Sequence, residues 1–88
     1  MITRRALLDI QEKVLSGQGT IRFRDFEALL AGLGFEQKGQ KGSHRIYIHP
    51  LAGRPFPVQP ERNEAKRYQV RQLRDMILKY RLTLGDRE

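Results

Sequence analysis

The chain predicts an α+β fold: a three-stranded antiparallel sheet with helices packed on one face. Three observations carry this. Apolar residues recur at helical spacing up to Leu33, alternate between Phe35 and Gln59, and return to helical spacing from Lys66. Glycines and prolines punctuate the changes of period. The resulting order is helix, helix, strand, strand, strand, helix, and layering helices on one sheet face buries every apolar stripe.

Each element follows from its residues. The first helix is expected from about Arg4 to Leu15, with Thr3 as N-cap and Gly17 and Gly19 ending it. Leu7, Ile10 and Val14 share a face, which either completes a small core or offers a groove or dimer surface; the core is the preferred reading. A second helix is expected from about Arg22 to Leu33. Phe23, Phe26, Leu29, Leu30 and Leu33 form its stripe, Gly34 stops it, and Arg22, Arg24, Asp25 and Glu27 are expected to face water. Phe35 to Lys38 reads as a short strand, Gly39 to Gly42 as a turn, and Ser43 to His49 as the second strand of a hairpin. Ile46 and Ile48 point one way; Arg45, Tyr47 and His49 point the other. Phe56 to Gln59 is a third strand, and its prolines place it at an edge. The last helix is expected from Lys66 to Tyr80, with Val70, Leu73, Ile77 and Tyr80 on one face.

Bulk properties narrow the function. Eighty-eight residues are expected to form one domain with a modest core. There is no cysteine, so disulfides and thiolate metal sites are excluded. No apolar run approaches a membrane span, no signal-peptide core is evident, and a cytoplasmic location is expected. The formal charge is +7, and it is uneven: net +1 over residues 1–35, +3 over 36–60 and +3 over 61–88. Basic surface of this kind favours nucleic acid or an acidic protein as partner, and charge alone does not distinguish these from a merely soluble basic domain. Two histidines and scattered carboxylates make no metal cluster, and no serine-nucleophile elbow is present, so no cofactor is expected.

Gly42-Ser43-His44-Arg45-Ile46-Tyr47, following Leu33-Gly34-Phe35 and preceding a short third strand and a final helix, resembles the HicA toxins of bacterial toxin–antitoxin pairs. The resemblance covers roughly Phe23 to Leu82. It implies a double-stranded-RNA-binding-like fold, with residues 22–82 as the core and 1–19 as an N-terminal helical extension. It implies a metal-independent endoribonuclease that cleaves mRNA, an antitoxin partner of the HicB type, and His44 as the catalytic residue. The chain departs from the common family pattern in that extra helix and in Gln59-Pro60, where many relatives carry a histidine.

The chemistry is consistent with those residue types. An imidazole with an ordinary pKa near 6.5 exchanges protons near neutral pH. Lys41 and Arg45 would stabilise charge on a phosphate, and the Gly42 backbone permits close approach. Taken alone, His44 reads as a strand-end histidine bonded to nearby backbone; the resemblance turns that reading toward catalysis. Ser43 either contacts phosphate and imidazole or serves the turn. Gly39 and Gly42 read as hairpin residues. His49 faces away from His44 and is expected at the surface. Lys66, Arg67 and Arg71 surround a helix N-terminus and are expected to contact RNA phosphates, with Lys38 and Lys41 on the hairpin. Tyr47 and Tyr68 are expected to pack on the sheet or helix rather than stack on bases. The alternative function is an RNA-binding module that uses the same basic face without cutting. The oligomeric state is not legible.

Overall fold

Helix α1 spans Arg4–Ser16 and helix α2 spans Phe23–Gly32 in a computed structural model, which describes residues 2–85. Thr3 caps α1 as its sequence requires: Thr3 Oγ1 accepts the Ala6 N–H at 3.1 Å. Ile10 and Val14 of α1 are buried and join the common core, with Leu7 partly buried against it. The core reading of that face is therefore the right one. Leu8 and Leu15 stay exposed.

Strands β1 (Glu36–Lys41), β2 (His44–Ile48) and β3 (Pro55–Val58) form an antiparallel sheet in the order β1-β2-β3. The architecture is the expected α+β one: three helices and a three-stranded antiparallel sheet, consistent with a double-stranded-RNA-binding-like fold carrying an extra N-terminal helix. The first strand is longer than its sequence suggests. It runs through Gly39 to Lys41, absorbing an irregularity between Gln37 and Gly39. The turn accordingly shrinks to Gly42-Ser43. Gly42 has φ 62°, which places glycine at the first position of a two-residue hairpin loop, where a side chain would be strained.

Side chains of β2 alternate as expected, and the buried face is the one carrying Tyr47. Tyr47 and Phe56 pair across the strands and both face the core, where Phe56 meets Phe26 of α2 edge-on at 6.5 Å. Ile46 and Ile48 lie half-buried on the other face. Strand β3 is an edge, as its prolines imply. Pro55 and Pro57 have no N–H to offer outward, which blunts the edge against further strand pairing. What remains is covered by helix α3 (Arg67–Tyr80): the Gln69 side chain accepts the Gln59 N–H at 3.2 Å and donates to the Pro57 carbonyl at 3.4 Å.

Two features escape the sequence reading. Residues 60–65 form a second small hairpin, β4 (Pro60–Glu61) and β5 (Glu64–Ala65). Its loop is Arg62-Asn63, both at positive φ (53° and 66°), the signature of a type I′ turn without glycine. The hairpin is stitched to the start of α2, with the Phe23 N–H donating to the Asn63 carbonyl at 2.8 Å and the Ala65 N–H to the Ile21 carbonyl at 2.9 Å. Beyond α3, Leu82 and Leu84 turn back and are buried in the core.

Candidate functional site

His44 opens β2 directly after the hairpin turn, opposite Lys41. It is exposed, and by strand alternation it lies on the face away from Tyr47. It lines a groove of about 510 Å³ between the outer side of β3 and helix α3. Pro57 contributes one wall; Tyr68, Gln72, Asp75 and Lys79 contribute the other. Tyr68 corrects the expectation that it packs against the fold: half of it is exposed (50%), with Lys66 Nζ over the ring at 5.9 Å.

The predicted cations do not all gather around His44. Lys66, Arg67 and Arg71 do come together, in a second cavity of about 430 Å³ at the start of α3. Lys13 of α1, Arg62 of the small hairpin and Arg74 join them there, against two carboxylates, Glu61 and Glu64. Arg74 continues the Arg67 and Arg71 face of α3; Lys13 and Arg62 were not legible as site residues, because α1, a hairpin turn and α3 meet only through tertiary packing. Lys66 connects the two cavities, since it lines the basic one while lying over Tyr68 of the other. Lys38, Lys41, Gly42 and Ser43 are exposed on the hairpin and line neither cavity. Lys38 is paired with Glu36 at 3.0 Å, a surface contact of small energetic weight.

Arg45 is turned to the helix side of the sheet. Its guanidinium pairs with Glu27 and lies over the Phe23 ring, 5.4 Å from the centroid. The bond to Glu27 and the attraction of that charge hold the Arg45 pKa above its ordinary value. Tyr47 Oη donates to the other Glu27 oxygen at 2.7 Å. Burial, and then the bond to Glu27, push the Tyr47 hydroxyl well above the ordinary tyrosine range. Glu27 thus corrects its sequence expectation: it faces the sheet and binds two β2 side chains. The available signal was its place one turn after Phe23, on the border of the apolar stripe.

His49 is a second correction. It is buried (7% exposed), not at the surface. Its Nε2 lies 2.8 Å from the Leu33 carbonyl, its Nδ1 accepts the Leu51 N–H at 3.1 Å, and Phe35 packs edge-on at 5.0 Å. Nδ1 being an acceptor, the Nε2–H is the donor. Gly34, at φ 103°, lets the ring in: a Cβ there would meet His49 Nε2 at 3.0 Å. The second histidine is a helix-end fastener.

Among the described residues no cluster of three or more His, Cys, Asp or Glu side chains is placed to hold a metal ion, and no helix is long and apolar enough to cross a membrane. The family model for the HicA toxin of bacterial toxin–antitoxin pairs matches residues 23–79, more than half of the chain. The chain belongs to the HicA toxin family. Comparison with curated proteins and with solved structures finds no match. The HicA match begins with α2 and ends near the end of α3, so it holds both groove walls and leaves α1 outside. Membership makes this chain a toxin of a toxin–antitoxin pair, with an antitoxin as its partner.

Proposed function

We propose that this HicA-family toxin is a metal-independent endoribonuclease acting on mRNA, with His44 as its acid–base residue. The observation that carries the reading is an exposed imidazole at a groove mouth, joined through Tyr68 and Lys66 to a basic cavity. The 2′-hydroxyl of one nucleotide attacks the adjoining phosphorus as its proton passes to a base. The P–O5′ bond breaks, leaving a 2′,3′-cyclic phosphate, and the departing 5′ oxygen takes a proton. His44 serves one or both of those transfers, and positioned proton transfer of this kind contributes about 10²–10⁴-fold.

The cations divide into two groups under this reading. Lys66, Arg67 and Arg71 hold the RNA backbone at the α3 end, where the unpaired amides of the first turn also favour anions. Lys38, Lys41, Gly42 and Ser43 present the hairpin to the strand being cut. Arg45 acts indirectly, because Glu27 holds its guanidinium on the opposite face; it stiffens β2 beside His44. An antitoxin of the HicB type would silence the toxin by covering the basic surface and His44 together.

Incubation of the purified chain with RNA in a chelator tests the proposal. Cleavage that disappears in His44→Ala, with the circular dichroism unchanged, is the expected result; wild-type rates in His44→Ala would overturn the catalytic assignment. One observation favours a second reading. Lys66, Arg67 and Arg71, half of the predicted RNA-contacting cations, sit in a cavity that excludes His44, as they would in a module that holds RNA without cutting it. Intact RNA retarded on a gel by both proteins supports that alternative.

A further inference from the structure

The groove beside His44 has two walls of different chemistry. The β3 wall carries Pro55 and Pro57, both exposed and rigid. The α3 wall carries the Tyr68 ring, followed one turn later by Gln72 and then by Asp75. Residues at this spacing lie along one side of a helix, so an aromatic platform and two polar groups face one slot. Tyr68 is half exposed although its ring is among the largest apolar surfaces of the chain. Asp75 is largely free: its contact with Arg74 is a long, exposed 3.4 Å pair. The volume, about 510 Å³, lies in the range of small-ligand sites.

We infer that this groove is a base-recognition subsite for an unpaired nucleotide adjoining the bond that His44 cuts. The inference rests on the ribonuclease reading and adds sequence selectivity to it. A flat base stacks on Tyr68, as unpaired RNA bases do on exposed aromatic rings. With β3 on one side and α3 on the other, the slot suits a splayed-out base more than a base held in a duplex. The Asp75 carboxylate only accepts hydrogen bonds, while Gln72 both donates and accepts. That pair selects a base with N–H donors side by side on its Watson–Crick edge, guanine foremost, and discriminates against uracil. Lys79 and Arg54, at the groove margin, face the phosphates on either side of the bound nucleotide.

The test uses short single-stranded RNAs that differ in one base next to a single cleavable bond, with the matching duplex as a further arm. Cleavage by the full chain and binding by its His44→Ala form are both measured. Tyr68→Ala is expected to lower kcat/KM by about 5- to 150-fold, the range a lost base stack produces, while Tyr68→Phe retains most activity. Asp75→Asn is expected to shrink the preference for guanine over uracil, read as the ratio of kcat/KM for the two strands. The duplex is expected to be cut poorly. Tyr68→Ala and Asp75→Asn that cut the same bonds at the same rates overturn the subsite while leaving the ribonuclease reading intact. A chain that cuts nothing, yet binds guanine-containing strands in a Tyr68-dependent way, removes the ribonuclease reading and keeps the subsite. Binding indifferent to both base and Tyr68 ends the inference outright.

Discussion

Two histidines five residues apart, at the start and just past the end of β2, make opposite use of the same side chain. His44 is exposed at the start of β2 and borders a groove. His49 lies just past the end of β2, with both ring nitrogens bonded and Phe35 against its face. An odd separation puts them on opposite sides of the sheet. The side that packs on α2 turns a histidine into a structural tie, because a buried polar ring must find partners. The other side leaves it exposed at the groove. Residue type alone carries neither role.

The comparison is broken most severely at His44. His44→Ala is expected to reduce RNA cleavage by at least about 10²-fold and to leave the thermal midpoint within error, read from initial rates and a melting curve on one preparation. An equal loss of stability would make the two histidines alike. His49→Ala is expected to do the reverse. It strands the Leu33 carbonyl and opens space beside Phe35, so stability should fall by about 2–3 kcal/mol in urea denaturation. The folded fraction should cleave at the wild-type rate.

Glu27 sharpens the contrast on the buried side. Glu27→Gln removes a charged partner from Arg45 and weakens the Tyr47 bond. The expected cost is about 1 kcal/mol, kept low because the Arg45 side chain is one-third exposed to screening solvent. Tyr47 gives this a pH signature. Its pKa is raised on folding, so its contribution is complete below the ordinary tyrosine value of about 10 and is lost as pH rises beyond it. Tyrosinate absorbance should show a late-ionising group that disappears in Tyr47→Phe and moves earlier in Glu27→Gln. The smallest effect lies at the basic cavity. Arg71→Gln should leave the fold intact and reduce the salt slope of single-stranded RNA binding by about 0.7, one phosphate's share. An unchanged slope would remove Arg71 from the interface.

Much of the fold is legible in the residues. Thr3 before a periodic run, Gly34 after another and prolines flanking Phe56 locate helix ends and an edge strand through local sterics and hydrogen bonding. The small hairpin was not legible, because Arg62-Asn63 makes its turn with two residues at positive φ and no glycine. Its stability comes from backbone bonds to residues 21–23, distant in sequence. The candidate site was legible as single residues and not as a map. Lys66, Arg67 and Arg71 do cluster, with Arg74 on the same helix, but Lys13 and Arg62 join them from elements that no local pattern relates. Arg45 adjoins His44 in sequence yet points to the other face.

The amino-acid order by itself determined roughly where the three helices and the three main strands lie, that the chain is basic, and that it carries Gly42-Ser43-His44, the element on which its resemblance to HicA toxins rests. Those follow from interactions between near neighbours, which act before any core exists. Only the tertiary structure decided which face of β2 is buried, and with it that His49 and Glu27 are held inside while His44 and Tyr68 share an open groove. Burial depends on what the rest of the chain places opposite a strand, and an alternating pattern is the same read from either side.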